Sequence, residues 1–181
     1  MREDTRTRIQ EIALRLFTEQ GYEATSLREI AEELGVTKAA LYYHFKTKDD
    51  IVGSLVEQRM NELESLLTWL HEQPKTAETR RELVLRYAET LDKPRHAEMA
   101  RFLERNQTAL RDHSGLLRMR QKMLDVSTAL TGPDEPLATR IRRSLGLFSL
   151  HAGMWLTQDT EVSEEDRRKA TIEVALELME P

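Results

Sequence analysis

Apolar residues recur at spacings of three and four along most of the chain, which is the pattern of helices with one buried face. Glycine and proline are scarce, at seven and five residues, and several of them mark the breaks between periodic segments. The predicted longer helices cover residues 5–20, 48–72, 76–91, 95–110, 116–130 and 137–157. Two shorter helices are predicted between residues 26 and 45, and a last one after Ser163. The pattern therefore predicts an all-α fold.

The two short helices lie in the stretch 26–48 and are separated by Gly35. Ser26 followed three residues later by Glu29 is a capping box, whose side chains satisfy the free amides at a helix start. Gly35 can adopt the left-handed conformation that ends a helix, and Thr37 is a suitable N-cap for the next one. A helix, a tight glycine turn and a second helix predict a helix-turn-helix.

The second short helix carries a surface that suits DNA. Residues 36–48 contain three lysines and no acidic residue, although the whole chain has a net charge of −5. Cationic, small and aromatic side chains on one helix fit a major groove lined by phosphates. The aromatic residues alone fit a small helical core equally well, and the capping and turn pattern favours the DNA-facing interpretation.

The sequence from Thr25 to Ile51 resembles the DNA-binding signature of the TetR family of bacterial transcriptional repressors. The matching residues are Thr25, Ser26, Ile30, Ala31, Leu34, Gly35, Val36, Thr37, Lys38, Leu41, Tyr42, Tyr43, His44, Phe45 and Lys48, preceded by Ala13, Phe17, Gly21, Tyr22 and Ala24. The resemblance carries little information about residues 52–181. Pattern and resemblance together make the candidate DNA contacts Thr25, Ser26, Arg28, Thr37, Lys38, Ala39, Tyr42, Tyr43, His44 and Lys48.

Lys48 is predicted to lie in the first turn of a long helix, where the helix dipole disfavours a cation. From the pattern alone, it is either a tolerated surface residue or a phosphate contact beside free helix amides. The resemblance favours the phosphate contact. Because the long helix leaves no flexible linker, we place the domain boundary at its start. Residues 1–46 are predicted to be a helix-turn-helix DNA-binding domain, and residues 47–181 a helical effector-binding and dimerisation domain.

The second predicted domain contains candidates for an effector pocket and for a subunit interface. Aromatic and methionine side chains on its middle helices fit either a pocket or an ordinary core; they are Trp69, Tyr87, Met99, Phe102, Met119 and Met123. The segment 137–157 is apolar on nearly all faces, which indicates a helix buried on several sides. The predicted interface residues on this segment and the last helix are Leu145, Phe148, Ala152, Gly153, Trp155, Val174 and Leu178. The resemblance implies dimerisation there, and filling of the monomer core is the alternative.

Charge and composition limit the function classes. Residues 1–50 contain eight Lys and Arg against ten Asp and Glu, so any DNA contact must be local rather than spread over the domain. The charged N-terminal segment and the absence of a long apolar run predict no signal peptide, no membrane anchor and a cytoplasmic location. The chain has no cysteine, which excludes disulfides and thiol nucleophiles.

No pattern in the chain favours catalysis. The five histidines form no pair at a spacing of three or four residues, and no phosphate-binding loop or Gly-x-Ser-x-Gly motif is present. We therefore predict no catalytic residues, no metal site, no cofactor and no enzymatic activity.

The predicted function is a ligand-responsive repressor that binds a palindromic double-stranded DNA operator as a homodimer and is released by a small molecule. The resemblance, not the residue spacing, implies repression and ligand release. The main alternative is a helical small-molecule-binding protein without specific DNA binding, and a metal-dependent helical enzyme comes last.

Overall fold

The computed structural model describes residues 2–92, 94–132, 134–156 and 161–180, and these residues form helices and connecting turns without a strand. The predicted all-α fold is confirmed for this part of the chain. The helices are α1 (Arg2–Glu19), α2 (Leu27–Leu34), α3 (Lys38–His44), α4 (Lys48–His71), α5 (Ala77–Leu91), α6 (Pro94–Arg105), α7 (Gln107–Leu110), α8 (Ser114–Ala129), α9 (Leu137–Leu156) and α10 (Glu164–Met179). None of these helices is long and apolar enough to cross a membrane.

Helix starts and stops follow the predicted capping residues. Ser26 and Glu29 form the capping box of α2, and Gly35 ends that helix in the left-handed conformation with φ 72°. Thr37 caps α3 through the amide of Ala40. These features were predictable because each depends on residues that are close in sequence.

The prediction of one helix over residues 95–110 was wrong. The helix is interrupted at Asn106, which has φ −115° and ψ 21° and separates α6 from the four-residue α7. At this break the Asn106 side chain forms hydrogen bonds with Tyr22 and Phe17, which are 84 and 89 residues away in sequence. The local apolar pattern does not encode such long-range contacts.

The chain divides into two compact units. Unit 1 contains the described residues of 1–61 and 93–120. In it α1 packs against α2 and α6, and α2 packs against α3. Its core includes Phe17, Leu41, Phe45 and Phe102, each at most 2% exposed. Leu41 and Phe45 are four residues apart and both face this core.

Unit 2 contains the described residues of 62–92 and 121–181, with α10 packed against α9 and α5. Two glycines of α9 permit the close approach of α10. A Cβ atom at Gly146 would lie 3.1 Å from the carbonyl oxygen of Ala175, and one at Gly153 would collide with the side chain of Thr171. The two units are defined by which helices pack together. The boundary predicted between residues 46 and 47 separates a DNA-binding from an effector-binding function, and it stays a prediction.

Candidate nucleic-acid interface

The turn between α2 and α3 is built by short-range hydrogen bonds. The Ser26 amide donates to Oε2 of Glu29 at 2.7 Å, and the Glu29 amide donates to Oγ of Ser26 at 3.2 Å. Hydrogen bonds from the Ser26 side chain and from the Ser26 amide lower the pKa of the Glu29 carboxyl, so it accepts as a carboxylate at neutral pH. The Val36 amide then donates to the carbonyl of Ala31 at 3.0 Å. The two helices are thus held in a helix-turn-helix arrangement.

The outer face of α3 has the composition expected of a DNA-reading helix. Lys38, Ala39 and Tyr43 are exposed, and Tyr43 is 66% exposed despite its large ring. Tyr42 and His44 are half-buried. The Lys38 ammonium lies 5.4 Å from the centroid of the Tyr42 ring, and the rings of Tyr43 and His44 meet edge to face at 5.3 Å. An exposed aromatic ring beside a lysine and small side chains leaves room for close approach to a duplex.

Several predicted DNA contacts have structural partners within the chain. Thr25 is 1% exposed and its hydroxyl donates to the carbonyl of Gly21 at 2.9 Å, which places it in the core of the turn rather than on the surface. The exposed Arg28 donates to Glu32 at 2.7 Å, and the Thr37 hydroxyl accepts from the Ala40 amide at 3.2 Å. DNA contacts by Thr25, Ser26, Arg28 and Thr37 stay predictions.

Two of the three lysines in residues 36–48 donate to backbone carbonyls. The Lys46 ammonium donates to the carbonyl of Tyr42 at 2.5 Å. The Lys48 ammonium donates to the carbonyls of Tyr22 at 2.5 Å and Glu23 at 3.2 Å, and it lies 4.5 Å from the centroid of the Tyr22 ring. Burial lowers the pKa of Lys48, partly offset by nearby carboxylates. The sequence predicted either a surface residue or a phosphate contact for Lys48, and neither includes these hydrogen bonds to the turn after α1. A phosphate contact by Lys48 stays a prediction.

Arg6 is a further cation at the end of α3 that the sequence did not indicate. Its guanidinium lies 4.4 Å from the centroid of the Phe45 ring and donates to the carbonyl of His44 at 3.5 Å. A cation at a helix C-terminus is favourable to the helix dipole. The separation of 38 residues between Arg6 and His44 explains why no local pattern indicated this contact.

Comparison with known proteins matches the helix-turn-helix region. The sequence profile described as bacterial regulatory proteins, tetR family, matches residues 9–55. The likeness to this family therefore lies in the first third of the chain. The HTH-type transcriptional regulator AcrR of Shigella flexneri is 48% identical over 65 residues, which are 34% of this chain and 30% of that protein. The chain therefore matches under a third of the length of this curated relative.

Solved structures extend the likeness over most of the chain. AmtR of Mycobacterium smegmatis has a TM-score of 0.71 at 26% identity and covers 94% of this chain and 84% of its own. AibR, whose crystal structure contains isovaleryl coenzyme A and operator DNA, has a TM-score of 0.60 at 20% identity. That likeness covers 92% of this chain and 95% of AibR, and at this identity it shows the fold alone.

The six candidates for the effector pocket are divided between the two units of the chain. Met99, Phe102 and Met119 belong to unit 1, where Phe102 is fully buried and its ring lies 5.7 Å from that of Phe17. The other three, in unit 2, are Trp69, Tyr87 and Met123. A cleft of about 680 Å³ in unit 1 is lined by residues of α1 and α6, and none of the six is among them. A common pocket for the six stays a prediction.

Tyr87 and Trp69 have polar neighbours in unit 2. The Tyr87 hydroxyl and Nε2 of His151 are hydrogen-bonded at 2.7 Å, and Tyr87 is 2% exposed. The guanidinium of Arg86 lies 4.5 Å from the centroid of the Trp69 ring. Among the described residues, no group of three histidine and carboxylate side chains is arranged to hold a metal ion.

The predicted subunit interface contains exposed apolar side chains. Leu145, Phe148 and Val174 are 52%, 38% and 45% exposed, and Ala152 and Leu178 are half-buried. Three more apolar residues of α9 are exposed: Leu137, Ile141 and Leu156. Together with Leu145 and Phe148 they form the apolar stripe of α9, at spacings of three, four and eight residues.

Gly153 and Trp155 differ from the other residues of the predicted interface. Gly153 faces Thr171 of the same chain, so its small size is already accounted for by the packing of α10 on α9. The side chain of Trp155 lies outside the described part of the chain. The interface itself stays a prediction.

Proposed function

We propose that this protein is a ligand-responsive transcriptional repressor that binds a palindromic operator as a homodimer. The observation that carries the proposal is the exposed basic and aromatic face of α3 behind a capped helix-turn. The match of residues 9–55 to the tetR-family profile supports a regulatory role for this region. In this proposal Lys38, Ala39, Tyr42, Tyr43 and His44 meet the major groove, as the second helix of a helix-turn-helix does.

Two-fold symmetry completes the DNA-binding part of the proposal. Two copies that present α3 about 34–36 Å apart would read two half-sites one helical turn apart. The apolar stripe of α9 and the exposed Val174 of α10 support a subunit contact, because large exposed apolar patches mark interaction surfaces. A single copy would make too few contacts for tight binding at physiological salt.

Release by a small molecule is the third part. AibR was crystallised with isovaleryl coenzyme A and operator DNA, and another structural neighbour is named a ketosteroid transcriptional regulator, KstR2 of Mycobacterium tuberculosis. Those ligands belong to those proteins, and we assign none of them to this chain. We propose an unidentified small-molecule effector, no enzymatic activity and a cytoplasmic location, since a regulator acts where the chromosome is.

DNA selection tests the proposal. Duplexes should be selected from a random pool by the purified protein, and the selected duplex and a scrambled duplex titrated at several salt concentrations. We expect a palindromic selected sequence, bound by two copies much more tightly than the scrambled duplex. Equal affinity for the two duplexes would instead favour a helical small-molecule-binding protein without specific DNA binding. A screen of the protein–operator complex against a small-molecule library then tests release.

A further inference from the structure

Tyr22 lies in the turn between α1 and α2, and its amide, its carbonyl and its hydroxyl each form a hydrogen bond. Its carbonyl accepts from the Lys48 ammonium at 2.5 Å, and its hydroxyl donates to Oδ1 of Asp49. Its amide donates to Oδ1 of Asn106 at 2.7 Å. Its ring meets the ring of Phe17 edge to face at 5.1 Å. This turn leads directly into the Ser26 cap of α2, so its position fixes where the helix-turn-helix begins.

Asn106 contributes to this turn from a distant part of the sequence. It is 6% exposed, and its Nδ2 donates to the carbonyls of Phe17 at 3.0 Å and Phe102 at 2.8 Å. It stands at the N-cap position of α7, where asparagine ordinarily accepts from its own helix, yet it makes no such hydrogen bond. Its amide instead bonds the end of α1 and the turn after it. The carbonyl of Phe17 is in the last turn of α1, where carbonyls lack partners within the helix.

We propose that Asn106 is a positioning residue for operator binding, which holds the turn before α2 in the geometry that presents α3 to DNA. This rests on the function proposed above. The hydrogen bonds of the Asn106 side chain go to Tyr22, Phe17 and Phe102, none of which lies in α3 or among the predicted DNA contacts, so it acts through Tyr22 and Phe17. Asn106 also donates to the carbonyl of Phe102 in α6. A movement of the end of α6 would therefore shift the Asn106 amide and, through it, the turn before the helix-turn-helix.

An amide is the side chain that suits this position. The site requires one acceptor for the Tyr22 amide and two donors for the carbonyls of Phe17 and Phe102. The asparagine side chain offers one carbonyl oxygen and two N–H groups in a compact plane. A leucine would fill the space and leave all three backbone groups without their partner. An aspartate would keep the acceptor and lose both donors.

The test compares Asn106→Leu and Asn106→Asp with Gln107→Leu, a matched amide-to-leucine change at the exposed neighbouring position. A duplex selected from a random pool by the wild-type protein and a scrambled duplex serve as probes. Both are titrated at several salt concentrations, at a temperature where circular dichroism shows every variant folded. Hydrogen–deuterium exchange of residues 20–26 reports the state of the turn.

We expect Asn106→Leu to weaken binding of the selected duplex by roughly 5- to 150-fold, the usual range of coupling between two sites. Affinity for the scrambled duplex and the salt slope should stay as in the wild type, because no phosphate contact is removed. Residues 20–26 should exchange faster. Gln107→Leu should behave as the wild type. Asn106→Asp should also weaken binding of the selected duplex, because a carboxylate oxygen would face the carbonyls of Phe17 and Phe102.

Three results would overturn the inference. A lower melting temperature with unchanged operator affinity in both Asn106 variants would mean a purely structural role. A shallower salt slope would mean that Asn106 supports a phosphate contact directly. A wild-type protein that prefers no duplex would overturn the proposed function, and this inference with it, whereas failure of the variants alone leaves the proposed function standing.

Discussion

At the scale of single residues, the lysines near α3 differ in what their ammonium groups contact. Lys38 lies beside the Tyr42 ring, whereas Lys46 and Lys48 donate to backbone carbonyls at helix ends and turns. Lys46 reaches a carbonyl four residues back, but the carbonyl of Tyr22 is 26 residues from Lys48 in sequence. A count of positive charges therefore overestimates the cations that are available to phosphates in the free protein.

Salt titration separates the roles of Lys38 and Lys48. Lys38→Ala should cost about 1–3 kcal/mol on the operator and much less on random DNA, as expected when a base contact is lost. If Lys48 contacts a phosphate, Lys48→Ala should weaken binding to all sequences alike and shallow the salt slope by about two for a dimer. Weaker operator binding with an unchanged slope would assign Lys48 to bracing the turn at Tyr22. Lys46→Ala is the matched control.

Glu135 and Arg143 form an ion pair in unit 2 that should make stability depend on pH. The Arg143 side chain is 6% exposed, its Nη1 lies 2.5 Å from Glu135, and its hydrogen bond lowers the pKa of the Glu135 carboxyl. Arg80, also buried, lies near enough to add to this effect. A carboxyl with a lowered pKa stabilises the fold above its unfolded pKa, and this contribution is lost as pH falls through the folded pKa.

Glu135→Gln should therefore lower the free energy of unfolding by about 1–3 kcal/mol at neutral pH, because the buried Arg143 loses its counter-charge. The difference from the wild type should shrink once pH falls below the usual glutamate pKa of about 4.3. Denaturant unfolding between neutral and acid pH measures it. A difference that does not change with pH would show that the charge of Glu135 is not what stabilises unit 2.

At the scale of elements, α9 and α10 form the closest helix pair of unit 2. Gly146 and Gly153 are seven residues apart, and both face α10 of the same chain. A spacing of seven residues permits a close helix crossing, but the spacing alone does not specify whether the partner helix lies in the same chain or in a second copy. The contacts of Ala175 and Thr171 place this crossing within the chain.

Gly153→Ala should destabilise unit 2, because the added Cβ atom collides with the side chain of Thr171. Overpacking of this kind costs about 1–3 kcal/mol, against a helix-propensity gain of about 1 kcal/mol for replacing glycine by alanine. Thr171→Ala removes the colliding atoms, so the double variant should recover most of the loss. Thermal unfolding of the four proteins gives the coupling energy, and additive losses would contradict the predicted clash.

At the scale of the whole molecule, the apolar stripe of α9 should determine assembly. Leu145→Glu places a charge at its centre and should give a monomer that no longer binds the selected duplex tightly. Leu85→Glu changes a leucine of similar exposure on α5 and should leave the dimer intact. Analytical ultracentrifugation measures the oligomeric state of each variant. A wild-type protein that sediments as a monomer at micromolar concentration would contradict the predicted subunit interface. A substitution at Gly153 would not test this interface, because Gly153 packs against Thr171 of the same chain.

Much of the fold and of α3 was predictable because the determinants are local. The cap at Ser26, the turn at Gly35 and the inward positions of Leu41 and Phe45 depend on residues a few positions apart. The break at Asn106 was not predictable, because it accompanies bonds to backbone groups 84 and 89 residues away. The hydrogen bond from Lys48 to the Tyr22 carbonyl was not predictable either, because the two residues are 26 positions apart in sequence.

The apolar stripe of α9 also bears on how copies of the chain meet during synthesis. Residues 137–156 are translated after all the residues of unit 1, so a ribosome exposes the stripe only when the helix-turn-helix has already emerged. At about 5–20 residues per second, α9 and α10 follow within seconds. Chains emerging from neighbouring ribosomes on one messenger RNA would then present matching stripes side by side. Pairing at that stage would favour identical subunits over mixed ones. It would also shorten the time during which the exposed apolar stripe is accessible to chaperones and proteases.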